Sequence, residues 1–271
     1  MPGLLEGKFG LIATLSERHG YPWGIARACL REGARLAFAH QARFASHVQD
    51  LTAEIPGAVR FQLDLGAPDT DEQLGRGMTT LEQEFGGLDF VVHTPAFAPP
   101  AAMMGRITDT TRQDFLTALD VSAYSLLALT RAAEPLFKRR GGGSVVGCTY
   151  YGGEKVVLGY KVMGVAKAAL DSISRYLAAE LGPDNIRVNL LSLGPQRTVA
   201  ARGIPGFMDM LRLAGQMSPL QRNIDTEDAG NAAVFLCSEW GRNVTGEILH
   251  VDCGYNILGF WHPGAQAPED R

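Results

Sequence analysis

Residues Phe9–Ala26 read FGLIATLSERHGYPWGIA: an apolar run, a polar loop holding Gly20 and Gly24, and then a helix start. A near-continuous apolar stretch such as Phe9–Thr14 suits a strand covered on both faces. The helix entered through the loop runs over Trp23–Glu32, with Ile25, Ala28 and Cys29 at helical spacing and Gly33 as its stop. A buried strand that leads through a glycine-bearing loop into a helix is the opening unit of a parallel α/β sheet.

The rest of the chain repeats this alternation. Strands are expected at Arg35–Ala39, Val59–Leu65, Asp89–His93, Ser144–Cys148, Arg187–Ser192 and Glu247–Val251. Helices are expected at Ala45–Glu54, Asp71–Phe85, about Arg112–Phe137 and Gly159–Leu181. The connections are too long for hairpins, so the strands run parallel with right-handed crossovers and helices on both sheet faces. The expectation is a single-domain doubly wound α/β fold of about seven strands over residues 1–260. Residues 200–222 read as a helical lid inserted between two sheet elements, in which Met208, Met210, Leu211 and Leu213 suit a flexible apolar ligand or core packing. Residues 261–271, with Pro263, Gly264 and Pro268, read as a flexible tail.

Composition narrows the function. The 271 residues hold 29 acidic against 25 Lys and Arg side chains, net charge −4, which disfavours nucleic-acid and anionic-membrane surfaces. No apolar run approaches the ~18 residues of a membrane helix, and Met1–Lys8 lacks the pattern of a secretion signal. Cys29, Cys148, Cys237 and Cys253 have no metal-type spacing and read as reduced, mostly buried thiols. No His/Cys/Asp/Glu cluster has ligand spacing, so no metal is expected. A cytoplasmic protein acting on a small molecule fits this composition. The 32 glycines fit a fold of many turns and close backbone approaches.

Two segments bear chemistry. Gly20 and Gly24 would let backbone approach a phosphate at the helix N-terminus; an ordinary strand–helix turn would look much the same. Tyr160-Lys-Val-Met-Gly-Val-Ala-Lys167 spaces a phenol and an ammonium by seven residues, which puts both on one helix face ~10 Å apart. An amphipathic helix with a snorkelling Lys satisfies that spacing equally. Gly164, Ala166, Ala168 and Ala169 leave room for another backbone. His93, at a strand end, reads as a satisfied near-core histidine.

These residues resemble the short-chain dehydrogenase/reductase superfamily, and more closely its bacterial enoyl-acyl-carrier-protein reductase branch. The resemblance runs from about Leu5 to Phe260. It rests on Tyr150 with Tyr160-x6-Lys167, His93–Pro99 (HTPAFAP), Val121–Ser125 (VSAYS), Gly194–Thr198 (GPQRT) and His250-Val-Asp252. The usual Tyr-x3-Lys is absent, because Met163 stands four before Lys167. The resemblance implies a Rossmann-type fold and NADH-dependent reduction of a trans-2-enoyl thioester on acyl-carrier protein in fatty-acid elongation. Hydride goes to the β-carbon, so the oxygen-binding donor stands further from the nicotinamide than in a ketone reductase. It assigns Tyr160 as the donor that stabilises the enolate, Lys167 as its cationic partner on the ribose, and Tyr150 as a wall of the acyl pocket.

By the same resemblance the cofactor meets Thr14, Gly20, Tyr21, Gln41, Asp64, Leu65, Thr94, Pro95, Ala96, Lys167, Gly194, Pro195, Gln196 and Thr198. The substrate meets Ala98, Tyr150, Tyr160, Met163, Ala200, Phe207 and Met210. Gln41 favours NADH over NADPH, with Arg43 as a possible 2′-phosphate partner or a solvated surface charge. Self-association is implied as well, as a homotetramer built on the Tyr160–Lys167 helix and the last strand.

The chain departs from the family at Thr14 (for Gly), Gly20 (for Ser), Pro22 and Pro95 (no N–H), Lys161 (for Asn), Gln196 (for an aliphatic residue) and Cys253 (for Gly). Two other readings therefore stand beside the active enzyme. One is a paralogue with weak or lost catalysis that binds cofactor or acyl chain; the other is a reductase of another carbonyl-conjugated substrate.

Overall fold

A computed structural model describes residues 2–196 and 207–259. Its strands are β1 (Phe9–Ala13), β2 (Arg35–His40), β3 (Val59–Gln62), β4 (Phe90–His93), β5 (Gly143–Thr149), β6 (Ile186–Leu193) and β7 (Ile248–Val251). All neighbours pair in parallel, in the order β3-β2-β1-β4-β5-β6-β7. The order reverses between β1 and β4, which opens a crevice beyond their carboxyl ends.

The two-residue period of the strands sorts their apolar side chains into two cores. Leu11, Ala37, Ala39, Val91, Val145, Val188 and Leu190 face one side. Ile12, Leu36, Phe38, Phe90, Val92, Val146 and Leu191 face the other. Both faces are buried, which is why these strands read as unbroken apolar runs. Helices α3 (Thr70–Phe85), α5 (Ser125–Arg139) and α6 (Val162–Leu181) cover the first side. On the second lie α1 (Tyr21–Arg31), α2 (Ala45–Leu51) and, near the C-terminus, α8 (Thr226–Cys237). Helices α4 (Arg112–Leu119) and α7 (Phe207–Met217) complete the set among the described residues.

Four expectations change. The third strand ends at Gln62 rather than Leu65, because side chains take over the backbone there: Asp64 N–H donates to Gln73 Oε1 (2.8 Å) and Gly66 N–H to Asp64 Oδ1 (3.1 Å). The long helix from Arg112 is interrupted by a π-turn at Asp120–Tyr124, between α4 and α5. Helix α8 was not anticipated, although Asp225 and Asp228 form a capping box at its start. Gly24 does not face a ligand: a Cβ there would lie 2.3 Å from Thr226 Cβ, so this glycine brings α1 against α8.

Of the expected lid at 200–222, α7 is described, with Met208 exposed and Met210 half-buried. Thr198, Ala200 and the tail 261–271 lie outside the described residues, as does the side chain of Phe207. Cys29, Cys148 and Cys237 are buried free thiols, and Cys253 is half-buried. No helix among the described residues is long and apolar enough to cross a membrane, and no group of three or more His, Cys, Asp or Glu is placed to hold a metal.

Candidate active site

The crevice beyond β1, β4, β5 and β6 gathers most of the expected residues. β5 ends at Thr149 and hands the chain to Tyr150 and a tight turn, Tyr151–Gly153. Tyr150 and Tyr160 meet edge to face, ring centroids 4.9 Å apart at 74°. Gly152 makes that possible, since a Cβ on it would lie 2.4 Å from Tyr160 Cδ1 and 3.2 Å from Tyr150 Cδ1. The small face of α6 receives this same turn: a Cβ on Gly164 would sit 2.7 Å from Gly152 O.

Tyr160 and Lys167 do not share a helix, contrary to the expectation from their seven-residue spacing. α6 begins at Val162, and Lys161 has φ 46° and ψ −124°, so Tyr160 precedes the helix in a turn of its own. That turn, not helical periodicity, aims the phenol. Lys167 is on α6, buried, and its Nζ donates to Cys148 O at 2.8 Å. Burial pulls the Lys167 ammonium down to about 8, opposed in part by Cys148 and Asp171. Burial also pushes the Tyr160 and Tyr150 phenols well above their ordinary range, so both keep their O–H at neutral pH.

His93 is fully buried, with Nε2 2.7 Å from Ser125 Oγ. Ser125 Oγ donates to Val121 O (2.7 Å), so the imidazole must be the donor in the other bond. Nδ1 is then a buried acceptor without a partner, and the expectation of a satisfied histidine holds for one nitrogen only. Burial first, and the Lys167 charge second, lower His93 to about 3, so the ring is neutral at pH 7.

Around β1 the phosphate loop takes an unusual form. Thr14 stands at φ 134°, a region that belongs essentially to glycine, and its hydroxyl lies 2.8 Å from that of Thr94. Gly20 caps α1 with no side-chain bond; no acid stands in the helix's first turn, and Pro22 occupies that turn. Tyr21 OH donates to Gly194 O at 2.6 Å, tying this helix start to the loop after β6. Pro195 and Gln196 follow, half-buried, with Gln196 Oε1 unpartnered. At the far end of the crevice Gln41 Nε2 donates to Asp64 Oδ1 (3.0 Å), and Arg43 Nε donates to Gln41 Oε1 (3.0 Å). Leu65 and Pro95 are buried and Ala96 is exposed. Met163 packs inward, its Sδ 3.8 Å from Ser122 Oγ, and Ala98 packs against Ala102, Ala118 and Val162.

Sequence reasoning missed Ser122 and Ser125 as individual contributors. Both flank or occupy the π-turn, where the displaced backbone frees them to bond Phe97 and His93. The stretch VSAYS held the signal. Asp171, which accepts from Thr149 Oγ1 at 2.6 Å behind Lys167, was missed too.

Residues 16–256 match the family model described as Enoyl-(Acyl carrier protein) reductase. The chain belongs to that family. It is 43% identical over 258 residues to the NADH enoyl-[acyl-carrier-protein] reductase FabI of Rickettsia conorii, spanning 95% of this chain and 97% of that one. The Anaplasma phagocytophilum enoyl-acyl-carrier-protein reductase, solved with NAD, superposes with TM-score 0.90 at 40% identity, covering 96% of this chain and 98% of that chain. The Bacillus cereus enoyl-acyl carrier protein reductase, solved with NADP+ and indole naphthyridinone, gives 0.91 at 40% identity, covering 95% and 100%. Positions 14, 161 and 253, where the sequence reading expects departures from the family pattern, have a common feature. Thr14, Lys161 and Cys253 are three of the five non-glycine residues with positive φ among those described.

Proposed function

We propose that this chain is an NADH-dependent reductase of the trans-2 double bond of enoyl-acyl-carrier-protein, working in fatty-acid elongation. The observation that carries the reading is the Tyr150–Tyr160 pair beside buried Lys167 at the carboxyl end of β5.

The crevice suits a nicotinamide dinucleotide. The uncapped, acid-free start of α1 can receive a pyrophosphate, and Pro22 removes only one of its N–H groups. Gln41 and Asp64 present polar edges for adenosine, Thr94–Ala96 a floor for its ribose, and Gly194–Gln196 a wall beside the nicotinamide. When bound, NADH supplies the hydride. Arg43 is engaged by Gln41 and lies over the Phe44 ring at 4.8 Å, which favours NADH over its phosphorylated form.

The chain's own groups do the rest. Tyr160 keeps its proton and donates to the thioester oxygen, favouring the charge that gathers there as the β-carbon is reduced. Lys167 keeps one N–H on Cys148 O and has two more for ribose hydroxyls, holding positive charge close to that oxygen. Tyr150 fixes the Tyr160 ring edge and lines the acyl path with Ala98 and Met210. The exposed Val165 and Tyr176 on α6 support a homotetramer built on that helix and β7, and the composition supports a cytoplasmic setting.

NADH oxidation measured with a 2-enoyl thioester, beside a ketone panel, tests the reading. Turnover confined to the enoyl thioester is expected. Ketone turnover alone would favour the carbonyl-reductase alternative. NADH binding without turnover of either would favour the non-catalytic paralogue, for which the strained Thr14 is the supporting feature.

A further inference from the structure

We propose that Lys161 is a positioning residue whose ammonium straps the loop at Met103–Gly105 to the turn carrying Tyr160, so that the acyl-facing wall is set before substrate arrives. Its kinetic consequence rests on the enoyl-reductase reading above; its structural consequence does not.

The geometry is specific. Lys161 Nζ donates to Met103 O at 2.8 Å and to Gly105 O at 2.6 Å. Met103 closes the short helical turn Pro100–Met103, so its carbonyl has no partner within the turn, and the Lys161 ammonium supplies one. Among the described residues Lys161 forms no ion pair, and both of its bonds go to backbone oxygens. A merely solvated surface lysine would not be committed in this way. The strap also stands on a backbone that resists it: φ 46° and ψ −124° is a conformation that favours glycine, so the side-chain bonds help hold a strained residue in place.

The loop is pinned at its other end as well. Phe97 N–H donates to Ser122 Oγ (2.9 Å), and the same hydroxyl donates to Phe97 O (3.0 Å). Beyond Gly105, Arg106 N–H donates to Asp109 Oδ2 at 2.8 Å. Between these anchors Ala98, Ala102 and Met103 pack on Ala118 and Val162, the residue next to Lys161. The segment that supplies this apolar wall is thus fastened at one end to Ser122 in the π-turn and at the other to Lys161 at the α6 start, and Tyr160 immediately precedes Lys161.

Three variants test the strap: Lys161→Met keeps the stem and removes the donors, Lys161→Arg keeps donors, and Lys161→Asn tolerates the backbone but cannot reach. Two readouts apply, amide hydrogen exchange over residues 97–106 and the split between KM and kcat. For Lys161→Met, exchange at Met104–Arg106 should quicken about tenfold and KM for the enoyl thioester should rise about tenfold, as expected for losing charge-assisted bonds. kcat should change by less than about threefold, with NADH affinity held, because the reacting groups and cofactor crevice are retained. Lys161→Arg should recover most of both losses. Should Lys161→Met not fold, Lys161→Asn carries the same expectations. Exchange and KM unchanged in the donor-less variants, or an Arg variant as impaired as Met, would overturn the proposal. Failure of the wild type to reduce any enoyl thioester would defeat the functional reading instead, while the exchange result would still decide the strap.

Discussion

Tyr150 and Tyr160 meet at 4.9 Å across the bare backbone of Gly152, so the position of the phenol depends on a side chain that is absent. The turn Tyr151–Gly153 packs on Gly164 of α6, and the next residue inward, Gly153, has no room for a Cβ either, with Asp171 Oδ2 at 2.8 Å. Backbone contact between this turn and the helix therefore fixes Tyr160 relative to Lys167.

Gly152→Ala is accordingly expected to push the Tyr160 ring aside. Steady-state kcat/KM for an enoyl thioester should fall by roughly 10²-fold, the scale of misplacing a reacting group by about 1 Å. NADH titration by fluorescence should be little changed, because the cofactor contacts lie elsewhere. An alanine variant of normal activity would show that the rings have another way to pack.

Thr14 takes a conformation costing roughly 1–3 kcal/mol, offset by one hydroxyl contact worth about 0.5–1.5 kcal/mol. Thr14→Gly should therefore raise stability by about 1 kcal/mol, seen as a Tm higher by a few degrees. Because Thr14 already holds the backbone course a glycine would take, NADH affinity should stay within about threefold, a small part of its binding energy. A drop in Tm would mean that the contact with Thr94 outweighs the strain.

Lys167 titrates near 8, so its charge is lost as pH rises through that value. Activity and NADH affinity should both decline above about pH 8. Unfolding does not explain such a decline. With the folded value below the unfolded one, this group's contribution to stability is lost as pH falls through 8 and grows as pH rises towards about 10.5. A Tm series run beside the pH–rate profile separates the two effects.

His93 gives the corresponding behaviour in acid. Its folded value of about 3 lies below the ordinary 6.5, so its contribution is complete above 6.5 and is lost as pH falls towards 3. Wild-type Tm should drop across that window, and His93→Gln, which cannot gain the proton, should show a shallower drop. Parallel curves would place the acid sensitivity in other groups.

The sheet was legible in the sequence because burial on both faces leaves apolar runs that hardly admit another reading. Its third strand was overestimated because Asp64 and Gln73 replace ladder bonds with side-chain bonds, which no apolar pattern reports. Helix α8 is buried along Ala229, Gly230, Ala233, Val234, Leu236 and Cys237, too broad a face to show a clean amphipathic period, which leaves the Asp225–Asp228 box as its sequence signal. In the crevice, the motif picks out Tyr150, Tyr160 and Lys167 but not the reason they converge. Helical spacing suggested a shared face, whereas the left-handed Lys161 breaks the helix and a glycine turn does the aiming. Thr14 and Cys253 were visible as departures; that both would keep positive φ could be learned only from the backbone.

Whether the Tyr160 hydroxyl stabilises the developing oxyanion is read from kcat/KM for a 2-enoyl thioester with NADH, wild type against Tyr160→Phe. Removing one such donor should lower it by about 10²–10³-fold, with NADH affinity unchanged. Equal kcat/KM in the two proteins would contradict the account.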